Sequence, residues 1–183
     1  MSFLGFKGMK TIWLILALGA VASQWSWAEG AEWGAAGFRT GFSATSRQDH
    51  FSQHELYGTH NLPWRWQSDS GWHLQTRLDL SAGVIHGRGE EGFIGTLGPT
   101  LVLGKGDFPL TLEVGSSATI LSKDEFGRVN FGVPFQFTSH AGIDYQIFRQ
   151  LSVGYRFQHM SNAGISYYNP GLDLHMFAIS YRF

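Results

Sequence analysis

Over most of its length this sequence alternates apolar and polar side chains with a period of two, a rhythm that fits strands and not amphipathic helices. Trp72, Leu74, Thr76, Leu78, Leu80, Ala82 and Val84 fall on one side of a run, with His73, Gln75, Arg77, Asp79 and Ser81 on the other. Leu110, Leu112, Val114, Ala118 and Ile120 likewise oppose Thr111, Glu113, Ser117 and Thr119. Phe131, Val133, Phe135, Phe137, Ala141, Ile143 and Tyr145 form a third apolar row, opposite Gln136, His140 and Asp144. Such runs predict eight strands, near 33–46, 51–66, 72–87, 92–104, 108–122, 129–146, 151–161 and 173–183. Ser68-Asp69-Ser70-Gly71, Gly104-Lys105-Gly106-Asp107 and Ile147-Phe148-Arg149-Gln150 read as tight turns, while the connections around 87–91, 123–128 and 162–172 are richer in polar residues.

Alternation alone allows a secreted sandwich as well as a barrel. Two features favour the barrel. Charged residues make up only 15 % of the chain, where a soluble domain carries about a quarter, and a wall that meets hydrocarbon cannot carry charge cheaply. The last strand presents Phe177, Ile179, Tyr181 and the terminal Phe183 in one row, which a soluble protein would expose only at the risk of edge aggregation. The expected fold is therefore all-β, an eight-stranded antiparallel transmembrane β-barrel of a bacterial outer membrane, with its tight turns on the periplasmic side. The terminal Phe resembles an assembly signal, so the barrel-assembly machinery is an expected partner during biogenesis. Arg77, Asp79, Glu113, Asp144, Arg156 and Arg182 fall on the lumenal parity. Eight strands leave an interior that side chains fill, so these charges should pair into a plug and not line a pore. Trp33, Trp64, Trp66 and Trp72 are expected in interfacial girdles.

The first 28 residues read differently. Lys7 and Lys10, an apolar run from Ile12 to Ala22, and Ser26-Trp27-Ala28 are the three parts of a cleavable signal peptide. The domains are thus 1–28, the signal, and 29–183, the barrel. Removing 1–28 leaves 11 of the 13 basic residues and all 14 acidic ones, a formal charge of −3. No basic stripe is present to neutralise phosphates, so nucleic acid is not an expected partner. Cysteine is absent, which excludes disulfides, thiolate metal sites and a cysteine nucleophile. His50, His54, His60, His73 and His86 are scattered without ligand spacing, and no metal is expected.

Chemistry concentrates in 151–183. Leu151, Val153, Tyr155 and Phe157 set an outward row on the seventh strand that His159 and Ser161 continue; Asp173 and His175 continue the row of Phe177, Ile179, Tyr181 and Phe183 on the eighth. His159 lies eight residues from the turn side and Asp173 ten from Phe183; at ~3.3 Å per residue and a tilt of ~40° both stand roughly 20–25 Å up the wall. That is the level of the outer leaflet's ester bonds. An imidazole can activate the Ser161 hydroxyl, a carboxylate can fix the imidazole tautomer, and Asn162-Ala163-Gly164 can supply donors to an oxyanion. His140 beside Ser139 mimics a dyad, but neighbours on a strand face opposite ways, and His140 belongs to the lumen with Asp144.

His159-Met160-Ser161-Asn162-Ala163-Gly164 followed by Asn169-Pro170-Gly171-Leu172-Asp173, on a chain closing with Tyr181-Arg182-Phe183, resembles the active-site region of the lipid A 3-O-deacylases of the PagL type. The resemblance implies an outer-membrane serine esterase that removes the 3-O-linked 3-hydroxyacyl chain of lipid A. His159 and Ser161 would act as base and nucleophile, and Asp173 as the acid where the family carries Glu. Asn162, Asn169 and, less directly, Gly164 would fall near the oxyanion. It also implies lipopolysaccharide as substrate, a site facing the outer leaflet and no cofactor. The alternative is a non-enzymatic small outer-membrane barrel serving adhesion or membrane integrity. The sequence leaves the oligomeric state open, a homodimer included.

Overall fold

A computed structural model describes residues 25–27, 32–45 and 50–183. The expected signal peptide lies outside these residues except for Trp25–Trp27, whose backbone pairs antiparallel with Trp64–Trp66. Eight long strands follow: β1 (Trp33–Ser43), β2 (Ser52–Gln67), β3 (Trp72–Gly87), β4 (Glu90–Lys105), β5 (Leu110–Leu121), β6 (Phe135–Phe148), β7 (Leu151–Ser161) and β8 (Leu172–Arg182). Each pairs antiparallel with its sequence neighbours, and β8 returns to β1 through Leu174↔Ser43 to Arg182↔Ala35. The sheet is closed. Among the described residues no long strand is left with an unpaired edge, which is how a barrel satisfies its backbone in lipid.

The outward rows are the predicted ones. Leu112, Val114 and Ile120 on β5, Val84 on β3 and Ile179 on β8 are all exposed on the outer face, forming the apolar belt that a membrane-inserted wall requires. Trp33, Trp64 and Trp72 are exposed too, at the end of the tight turns, and form one girdle there. Two connections depart from expectation. The link after β3 is a two-residue turn, with positive φ at Arg88 (55°) and Gly89 (79°), the geometry that matches strand twist in a hairpin. The strand expected over 129–146 begins only at Phe135, because Val129–Asn130 instead pairs with Glu125–Phe126 in a separate small hairpin.

Inside, the barrel has two layers. Around its waist Arg77 pairs as expected with Asp79 (2.8 Å) and Glu113 (2.6 Å), whereas Arg156 pairs with Glu55 (3.2 Å), a residue outside the expected set. Glu55 is the hub, accepting also from Arg39 (2.7 Å), Gln53 (2.7 Å) and Ser81 (2.9 Å). Toward the long-loop end the filling becomes apolar: Phe51, Ile85, Ile94, Leu121, Met160, Leu172, Leu174 and Met176 close around Phe126 and Phe131. The rings of Phe51, Phe126 and Phe131 meet edge to face at 5.6–6.1 Å. Phe131, expected in an outward row, is therefore an interior residue: it precedes the strand, and the loop carries it over the barrel mouth.

Candidate active site

Parity fixes the direction of the three candidate side chains. On β7, Gln158 and Met160 are buried inward at 1 % and 2 % exposure, so His159 between them must emerge outward. Ser161 follows between Met160 and the fully buried Asn162. On β8, Asp173 stands between Leu172 and Leu174, each 1 % exposed. Burying those three apolar side chains stabilises this register by roughly 1.5–3 kcal/mol each, and a slip of one residue would expose them.

Register brings the pair together. His159 lies directly opposite Asp173, and its Nδ1 meets Asp173 Oδ1 at 2.6 Å. The aspartate, one methylene shorter than glutamate, thus reaches the imidazole because the two backbones are paired at that residue. With Nδ1 donating to the carboxylate, Nε2 is the basic nitrogen. Ser161 lies on the same row; among the described residues no hydrogen bond joins its hydroxyl to His159. The ring is half exposed and the carboxylate about a quarter exposed, so the pair lies on the outer face of the barrel.

Asn162 holds the loop that follows. Its Nδ2 donates to the carbonyls of Phe131 (2.9 Å) and Tyr168 (2.7 Å), and its Oδ1 accepts from Gly164 N (2.9 Å). Asn162 N in turn donates to Asn169 Oδ1 at 3.1 Å, which leaves the Asn169 amide nitrogen as the end not used in that bond. Ala163 (φ 51°) and Gly164 (φ 83°) are both left-handed, and Ile165 N closes the turn on Asn162 O at 3.0 Å. A non-glycine residue in that region costs roughly 1–2 kcal/mol, so the tight reversal after Ser161 is imposed by its surroundings. The side chain of Asn162 and the amide of Gly164 are thus engaged within the loop, and Asn162 ties it to the apolar plug through Phe131.

Gly171 is a residue the sequence reading did not single out. Its φ is +67°, and a Cβ there would stand 3.0 Å from His159 Cε1 and 3.7 Å from Nε2. Only glycine accepts both the conformation and the approach of the ring. The Pro170-Gly171 dipeptide was its signal in the sequence, legible as a turn but not as a ring contact. His140 is inward and buried, with Nε2 3.4 Å from Thr100 Oγ1, so it meets Thr100 and not Asp144. Among the described residues no three His, Asp or Glu side chains gather as metal ligands.

On the membrane side the wall beside His159 is concave. A shallow, mainly apolar groove runs from His159 and Phe157 past Ser139 and Ala141 to Ser116, Val114 and Leu101.

Residues 52–182 match the protein family described as lipid A 3-O-deacylase (PagL). Among solved structures, the crystal structure of the outer membrane enzyme PagL aligns with a TM-score of 0.67 at 20 % identity, covering 79 % of this chain and 97 % of that one. The crystal structure of Neisserial surface protein A (NspA) aligns at 0.52 and 12 % identity, covering 85 % of this chain and 100 % of that one. At those identities the two structures bear on the fold. The curated proteins contain no sequence match.

Proposed function

The chain belongs to the lipid A 3-O-deacylase family, an outer-membrane family of ester hydrolases, and from that premise we propose that it is a serine esterase whose site faces the outer leaflet. The observation that carries the proposal is the 2.6 Å contact between His159 Nδ1 and Asp173 Oδ1, on the lipid-facing side of the wall and on the row that also carries Ser161.

The lipid reaches the site by lateral diffusion and need not enter the barrel. His159 Nε2 takes the proton of Ser161 as Oγ attacks the ester carbonyl at the 3-position of lipid A. Asp173 keeps the proton on Nδ1 and stabilises the imidazolium as it forms. The negative oxygen of the tetrahedral intermediate needs a donor already aimed at it. That role falls to the Asn169 amide nitrogen, with Asn162 and Gly164 shaping the loop that carries it. Collapse of the intermediate breaks the bond to the sugar oxygen, and His159 returns its proton to that leaving group. Water, deprotonated by the same imidazole, then attacks the acyl-serine and releases the free fatty acid.

The test is mass spectrometry of lipid A after incubation of lipopolysaccharide with the purified barrel. The wild-type protein should remove one 3-hydroxyacyl chain, and Ser161→Ala should remove none while remaining a folded, heat-modifiable barrel. Undiminished deacylation by Ser161→Ala would overturn the nucleophile. An unchanged lipid A mass with wild-type protein would return the chain to the non-enzymatic alternative.

A further inference from the structure

Two of the outward apolar rows have a gap, and the gaps lie on adjacent strands. On β5 the row Leu112, Val114, Ala118, Ile120 is interrupted by Ser116, and on β6 the row Phe135, Phe137, Ala141, Ile143 is interrupted by Ser139. Ser116 and Ser139 are register partners, and Ser139 is in turn the partner of His159. The pairing continues from His159 to Asp173, so both serines lie in line with the His159–Asp173 pair around the wall. Both side chains are exposed on the lipid-facing surface, and their hydroxyls meet at 3.2 Å.

The groove in which they lie opens at His159. Its rims are apolar, with Leu101, Val114 and Phe157 each more than two-fifths exposed on the membrane side. An acyl chain whose carbonyl is at Ser161 has this concavity beside it. The other flank of the site is filled instead: His175, held by Tyr155 Oη at 2.8 Å, is packed among the rings of Phe42, Tyr155 and Phe157. The groove is therefore the open side, and its floor is polar at one place. Each serine hydroxyl can donate one hydrogen bond and accept others, so the pair retains acceptor capacity when one hydroxyl donates to the other.

Resting on the deacylase reading, we infer that the Ser116–Ser139 pair is a specificity element that recognises a hydroxyl on the third carbon of the scissile acyl chain. Ser139 stands one strand across from His159, about 4.5–5.5 Å between Cβ atoms. A hydroxyl two carbons beyond the carbonyl falls on that side of the site when the chain enters the groove. A chain without the hydroxyl covers the two serines with hydrocarbon and returns nothing for the water it displaces. Because the groove is open to its surroundings, the discrimination is modest, about tenfold in kcat/KM, which is about 1.4 kcal/mol.

The experiment compares two synthetic lipid A substrates in detergent micelles, identical except that the 3-O-linked chain is 3-hydroxytetradecanoyl in one and tetradecanoyl in the other. Wild-type protein should favour the hydroxylated chain about tenfold in kcat/KM. The Ser116→Ala/Ser139→Ala double variant should process the plain chain at least as fast as wild type, since no hydroxyl is then covered unpaired, and prefer neither substrate by more than about twofold. Its rate on the plain chain and its heat-modifiability report folding independently of the preference. A preference that survives the double substitution, or a wild-type protein that shows none, overturns the assignment. Wild-type protein inert toward both substrates, like the Ser161→Ala blank, refutes the deacylase reading itself.

Discussion

Replacing Asp173 by Asn keeps the shape of the acid and removes its charge. In the structure the carboxylate meets His159 Nδ1 at 2.6 Å, with the imidazole half exposed. Unit charges about 4 Å apart, centre to centre, attract by about 1 kcal/mol in bulk water and about 4 kcal/mol where the effective dielectric constant is about 20. The half-exposed ring lies between those limits, so the imidazolium formed during attack loses about 2–3 kcal/mol of stabilisation, a fall of about 30- to 150-fold in kcat. The amide can also present its NH2 to Nδ1, which favours the wrong tautomer and deepens the loss. The interaction develops as charge forms, so kcat and kcat/KM should fall together with KM little changed. Rates of fatty-acid release from a defined lipid A in micelles, with the unfolding midpoint as a control, give the answer. An Asp173→Asn variant within about threefold of wild type would refute the role of the carboxylate and the parity reasoning behind it.

Gly171→Ala puts a methyl 3.0 Å from His159 Cε1 at a left-handed residue; displacement of the ring should cost at least about tenfold in kcat, read in the same release assay, with the barrel still heat-modifiable. Asn162→Ala removes both bonds to the carbonyls of Phe131 and Tyr168, each worth about 1–3 kcal/mol when its buried acceptor is left unpaired. Limited proteolysis should then nick the 162–171 loop while the barrel stays resistant. Glu55→Gln leaves Arg39 and Arg156 in the lumen without their shared carboxylate. It should destabilise the barrel by about 3–5 kcal/mol, measured as a lowered denaturant midpoint.

The strands were legible because a two-sided wall writes its geometry into the residues one by one: Val153, Tyr155 and Phe157 announce the direction of His159 without any knowledge of its partners. The pairing of His159 with Asp173 is a different matter. It depends on the registry of two strands separated by a ten-residue loop, which parity restricts but does not determine. The interior was half read. Arg77, Asp79 and Glu113 could be paired on charge alone, whereas Glu55 and Arg39 gave no signal that they would share a centre. Phe131 defeated the reading because an aromatic residue beside a strand looks like one more outward residue, and Phe126 lay in a connection read only as polar. Only the small hairpin at Glu125–Asn130, a tertiary feature, folds them back into the mouth. Ser116 and Ser139 were visible as interruptions, but their alignment with His159 needed three strands in register.

The apolar stopper of Phe51, Phe126 and Phe131 bears on what the cell can tolerate. A protein that edits lipids from within a permeability barrier must not leak. Ten buried apolar side chains fill one end of the lumen, and an ion crossing them would lose its hydration at a large cost. The edge that carries the proposed site is clamped to that stopper by the Asn162–Phe131 bond. Loosening the loop to speed turnover would therefore weaken the seal as well.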